Sequence, residues 1–107
     1  MRSLAVASSV LSLAFHPVPP VLDRIAQCET GDNPSHATRD FVSRFGIRRS
    51  VWNEYRPRGV RAVSPRKRTG ERLPSLSEQA MVAVAIAQKA GLSAWECWRL
   101  HGSVRNG

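Results

Sequence analysis

Hydrophobic positions change their spacing several times along the chain, and each change marks an element. From Pro20, Leu22, Ile25 and Ala26 recur with Glu29 at i, i+3, i+4 and i+7, with Val21 and Cys28 beside them. Pro20 suits a first helical turn and Gly31 offers a stop, so a helix is expected from Pro20 through Glu29. Its apolar stripe ends in a carboxylate. Residues 31–48 mix Gly, Asn, Pro, Ser and Asp with short apolar pieces, which predicts loop with a short extended pair around Phe41 to Ile47. Ser50 can cap a short helix, Val51 to Tyr55, that Pro57 stops. Residues 56–74 lose apolar periodicity altogether and predict a solvated, mobile loop.

The clearest helix follows. Ser75 and Glu78 have capping-box spacing, and every position from Ala80 to Ala87 is apolar. A helix apolar all round is buried all round, so this one is expected at the centre of the domain. Gly91 ends it. Ser93 and Glu96 predict a second capping box, opening a short helix that carries Trp95, Cys97 and Trp98. There is no internal repeat and no low-complexity tract. The pattern predicts a small, mainly helical domain with a central buried helix and one long basic loop.

A chain of 107 residues allows one domain with a modest core, and 42% hydrophobic residues fit a globular chain. No stretch approaches the roughly 20 apolar residues that span a bilayer. Lys and Arg number 16 against 8 Asp and Glu, a net charge of +8. Such a surface attracts polyanions: nucleic acid, anionic wall polymers or a negative membrane surface. Arg56, Arg58, Arg61, Arg66, Lys67, Arg68 and Arg72 concentrate this charge in the 56–74 loop.

Met1-Arg2 followed by the apolar and small-residue run Leu4 to Phe15 has the form of a short secretory signal, with Ser12-Leu13-Ala14 as a small-x-small cleavage site. The expected organisation is a leader over residues 1–16, a domain over 17–101 and a tail over 102–107. In a reducing compartment Cys28 and Cys97 would be ordinary buried thiols. In an exported chain of this size an even count suggests one disulfide, closing a loop of about 70 residues for about 4 kcal/mol. Cys28, His36, Cys97 and His101 could also ligate zinc, although their spacings match no usual pair of knuckles.

Glu29 is the sharpest candidate for chemistry. A general acid must hold its proton near neutral pH. An apolar stripe desolvates the carboxyl and a helix C-terminus opposes its charge, so both favour the protonated form.

Three segments then share a pattern. Leu22-Asp23-Arg24-Ile25-Ala26-Gln27-Cys28-Glu29-Thr30-Gly31-Asp32-Asn33 resembles the opening helix of the transglycosylase-like domain of resuscitation-promoting factors, loosely W-D-x-[LIV]-A-x-C-E-[ST]-G-x-N. Leu73 to Ala85 is similar to that family's A-[ST]-x-x-x-Q-I-x-V-A helix, and Gly91 to Cys97 to its G-W-x-A-W-P-x-C ending. Order and spacing agree over residues 21–98, about three quarters of the chain.

The resemblance implies an α+β lysozyme-like fold, a Cys28–Cys97 disulfide, and cleavage of the β-1,4 bond between MurNAc and GlcNAc in peptidoglycan with Glu29 as the acid. The product would be hydrolysed or an anhydro sugar. Asp32, Asp40 and Glu54 are more ordinary as surface charges than as a second carboxylate, and a lone acid fits lytic transglycosylase chemistry better. Candidate substrate-binding residues are Asn33, Arg48, Trp52 and Tyr55; as a lone aromatic, Trp52 fits the core better than the cleft. The middle segment departs from the family's G-G-L-Q-F-S-x-x-T-W. Aligning on Trp52 puts Gly46 at the Gln position, and aligning on Gly46-Ile47 puts Arg48 there.

These readings imply no metal and no cofactor. Glycan strands would be the partner, anionic wall polymers could bind the 56–74 loop, and the protein would be a secreted, wall-associated monomer. Two rivals remain. One is an inactive wall-binding module of the same fold. The other is a basic helix-turn-helix-like DNA-binding protein built on Ala87, Gly91 and Ser93, whose second helix lacks base-reading side chains.

Overall fold

The structure, a computed structural model, describes residues 18–106. The expected leader over residues 1–16 lies outside them. The described elements are α1 (Pro20–Thr30), β1 (Phe41–Val42), β2 (Ile47–Arg48), α2 (Arg49–Tyr55), α3 (Leu76–Lys89), a 3-10 turn (Leu92–Ala94), α4 (Glu96–Leu100) and α5 (Gly102–Asn106). The domain is mainly helical, with one short antiparallel hairpin and one disulfide. None of these helices is long and apolar enough to cross a membrane.

Helix α1 forms as its punctuation predicts. Pro20 occupies its first turn and Gly31 caps it at φ 68°. The Gly31 N–H donates to the Gln27 carbonyl (2.9 Å) and the Asp32 N–H to that of Ala26 (3.0 Å), satisfying last-turn carbonyls. Leu22, Ile25 and Ala26 are buried on its inner face. The extended pair is a hairpin in which Phe41 faces Arg48 and Val42 faces Ile47.

Helix α2 starts at Arg49, two residues before the expected Val51. Ser50 therefore lies inside the first turn, and Arg48 precedes the helix without a side-chain cap. Trp52 is wholly buried, and its indole N–H donates to the Arg61 carbonyl (2.9 Å). Asn53 exchanges two 2.9 Å hydrogen bonds with the backbone of Val63. The side chains of Val60 and Val63 enter the core. The 56–74 segment is therefore not the mobile loop its composition predicts; its valines and carbonyls staple it to α2.

A second staple is stronger. Arg49, 1% exposed, donates to both oxygens of Glu71 at 2.8 Å. It also donates to the Thr38 carbonyl and to Ser64. This bidentate pair holds the Glu71 carboxyl below the usual carboxylate range, the Arg49 hydrogen bonds being the largest cause and burial opposing them.

Helix α3 carries the expected capping box: the Glu78 N–H donates to Ser75 Oγ (3.1 Å) and the Ser75 N–H to Glu78 Oε1 (2.9 Å). Arg61 bonds the same carboxylate. Together with the two backbone donors it lowers the Glu78 pKa to about 2, against an opposing cost of burial. The helix is not buried all round. Val82, Ala83 and Ile86 are, whereas Leu76 is 62% and Met81 36% exposed. A chain this short has too few elements to cover every face of its longest helix. The second capping box does not form: Ser93 lies in the 3-10 turn, and Trp95 precedes α4 without a side-chain cap.

The C-terminus also departs from expectation. Residues 102–106 are helix α5, not a tail. Val104 is buried in the core, and its carbonyl accepts from Arg24 Nε on α1 (2.8 Å). The Cys28–Cys97 disulfide joins α1 to α4 across 69 residues, with Cα atoms 6.1 Å apart. Closing such a loop is worth about 4 kcal/mol in the chain-entropy model. Among the described residues, every buried side-chain polar atom has a partner.

Candidate functional site

Glu29 occupies the last turn of α1 and is half-buried. Three contacts build its surroundings. Thr30 Oγ1 donates to the Arg44 carbonyl (2.6 Å), tying the hairpin turn to the helix end. The Trp95 indole N–H donates to the Phe45 carbonyl (2.9 Å), holding that turn from the opposite side. The disulfide then brings α4 alongside, and the Cys97 N–H donates to Glu29 Oε2 (3.0 Å).

Gly46 makes the approach possible. Its φ of 61° is left-handed, and a Cβ there would lie 3.3 Å from Glu29 Cβ and 3.6 Å from Oε1. A side chain would press on the carboxylate stem. One carboxylate oxygen is thus held by a backbone donor, while Oε1 has no hydrogen-bond partner among the described residues.

Glu29 lines a cleft of about 280 Å3. The hairpin contributes Phe41, Ile47 and Arg48 to it, and the C-terminal segment Trp95, Glu96 and Arg99. The Arg48 guanidinium lies 4.8 Å from the Phe41 ring centroid, a cation–π distance that steadies an otherwise exposed side chain. The walls are therefore mixed, with apolar side chains below and two cations and a second carboxylate at the rim.

Of the expected site residues, the cleft brings together Glu29 and Arg48. Asn33, Trp52 and Tyr55 do not line it. The Asn33 side chain instead accepts from the Ser35 N–H (3.0 Å), and its own N–H donates to Thr30 Oγ1, so it shapes the loop after α1. Trp52 is core, with no ring face open to a sugar. Tyr55 packs half-buried against the core. Gln79, from the second matching segment, is also structural. It is buried, accepts from the Arg44 N–H, and donates to the carbonyls of Pro34 and Pro74.

Sequence reasoning missed Glu96 and Arg99. Capping-box spacing assigned Glu96 to a helix cap, but its place directly before Cys97 was the usable signal, since whatever adjoins the disulfide adjoins Glu29. Asp32, Asp40 and Glu54 stay off the cleft, and Asp32 is paired with Arg44 at 2.7 Å. The zinc alternative falls because each cysteine sulfur is bonded to the other. The helix-turn-helix alternative meets a second helix of five residues whose Cys97 is buried and bridged to α1. No protein-family model, no curated protein and no solved structure matches this chain.

Proposed function

We propose that the protein cleaves the β-1,4 glycosidic bond between MurNAc and GlcNAc in peptidoglycan, with a lysozyme-like arrangement in which Glu29 is the general acid. The observation that carries this reading is the asymmetry of the Glu29 carboxyl. Oε2 accepts from the Cys97 N–H, which fixes the group's orientation, and Oε1 is left to carry a proton toward the cleft. A cleft with apolar walls and a few polar groups suits the sugars of a glycan strand. Protonating the bridging oxygen lets the leaving sugar depart. Water then completes hydrolysis, or a hydroxyl of the same sugar closes an anhydro product. Glu96 on the same cleft adds a second carboxylate, which favours hydrolysis over the lone-acid outcome. The disulfide fits an oxidising compartment outside the cytoplasm, as export of the chain requires.

Mass spectrometry of muropeptides released from purified cell walls tests this directly. Wild type should release them, and Glu29→Gln should slow release by about 100- to 10,000-fold, the usual contribution of a general acid. Equal release by both would remove Glu29 from the chemistry.

One observation favours a second reading, a wall-binding module without activity. Neither Gly46 nor Arg48 supplies the amide that the family pattern places in the cleft. Its signature would be retention of wild type on insoluble wall with no product released.

A further inference from the structure

Folding gathers cations that are scattered in the sequence. The buried Arg49–Glu71 pair draws Thr38, Ser64 and Glu71 to one point. Four exposed cations stand within a residue or one hydrogen bond of that point, and a fifth, Lys67, is hydrogen-bonded to one of them. Arg39 follows Thr38, and its carbonyl accepts from the Lys67 N–H (3.3 Å). The Arg66 carbonyl accepts from Ser64 Oγ (2.6 Å), the Arg68 carbonyl from the Glu71 N–H (3.2 Å), and Arg72 follows Glu71. None of these five side chains makes an ion pair or hydrogen bond among the described residues. The segment's own acid, Glu71, is consumed by Arg49, and Glu78 by Arg61. Asp40 is the exposed carboxylate adjoining the group in sequence.

We propose that this face binds a linear phosphodiester polymer that carries no bases. Four of the five cations are arginines, whose planar fork matches phosphate bidentately. Residues 56–74 contain no aromatic side chain, so the platform on which single-stranded nucleic acids stack is missing. No helix or β-ribbon there presents side chains to a duplex groove. Because the staples hold the backbone, the cations are presented on a fixed surface and lose less freedom on binding than they would on a flexible loop. This inference does not rest on the glycosidic reading, since none of the five cations lines the Glu29 cleft.

The test is binding of the full chain, as a function of salt, to three probes of matched charge: poly(glycerol phosphate), polyglutamate and a random DNA duplex. Poly(glycerol phosphate) should bind most tightly, with log K falling linearly in log salt concentration. Arg66→Ala with Arg68→Ala should reduce that slope by about 2, one for each lost phosphate contact. The charge-matched control Lys89→Ala with Arg105→Ala, at exposed positions outside both this face and the cleft, should leave the slope near wild type. Glu29→Gln should bind like wild type even if it abolishes cleavage, which separates this face from the cleft. Equal losses in the two double variants would overturn the proposal, because net charge alone would then hold the polymer. Equal affinity for polyglutamate would overturn the phosphate chemistry, and tighter binding to duplex would assign the face to nucleic acid. Absence of binding to all three would remove the face as a docking surface.

Discussion

Glu29 and Glu71 are both carboxylates at least partly buried, and their settings differ in kind. Glu71 has both oxygens bonded by a buried guanidinium. Glu29 has one oxygen on a single backbone N–H and the other facing a cleft. The first arrangement keeps a carboxylate ionised and holds three segments together. The second orients a carboxylate and leaves one of its oxygens open to the cleft. Incomplete satisfaction beside a cleft is the more useful guide to chemistry, and complete satisfaction in the interior the better guide to structure.

Substitution should separate the two roles. Glu29→Gln is expected to remove about 100- to 10,000-fold of muralytic rate while moving the denaturant midpoint little. Glu71→Ala is expected to do the reverse. Stranding Arg49 as an uncompensated buried charge should cost about 3–5 kcal/mol, read by urea unfolding. A large loss of stability in Glu29→Gln, or none in Glu71→Ala, would break the comparison. Replacing both cysteines by serine probes the link between the regions. The expected loss is about 2–5 kcal/mol. Activity should fall further than residual folding explains, because the Cys97 N–H would no longer be anchored against Glu29.

Smaller effects sharpen the picture. Gly46→Ala should cost about 1–2 kcal/mol through its left-handed backbone. It should also lower activity, since the new Cβ presses on Glu29. The smallest effect concerns acid. Glu78 has a folded pKa of about 2, depressed from 4.5, so its stabilisation is fully present above pH 4.5 and lost as pH falls toward 2. The pair is partly open to solvent on the Arg61 side, so Glu78→Gln should cost only about 1 kcal/mol at neutral pH. The variant should also show a flatter loss of stability between pH 4.5 and 2, checked by thermal unfolding across that range.

The parts legible from the sequence were those whose causes are local. Pro20 and Gly31 bound α1, Ser75 and Glu78 open α3, and Pro57 stops α2, because caps and breakers act within a few residues. The stripe that led to Glu29 belongs to the same class. The failures share a cause as well. Arg49 reads as one of sixteen cations until Glu71, 22 residues away, folds against it. Val104 reads as part of a tail until α1 offers Arg24, 80 residues away. Trp52 reads as either cleft or core until Arg61 supplies a carbonyl for its indole. Glu96 reads as a cap until the disulfide carries it to Glu29. The sequence alone determined where most helices begin and end, and which carboxylate terminates an apolar stripe. Only the tertiary structure decided which charges are buried, which basic side chains remain outward and what faces Glu29, since pairing and desolvation depend on groups the chain brings together only when it packs.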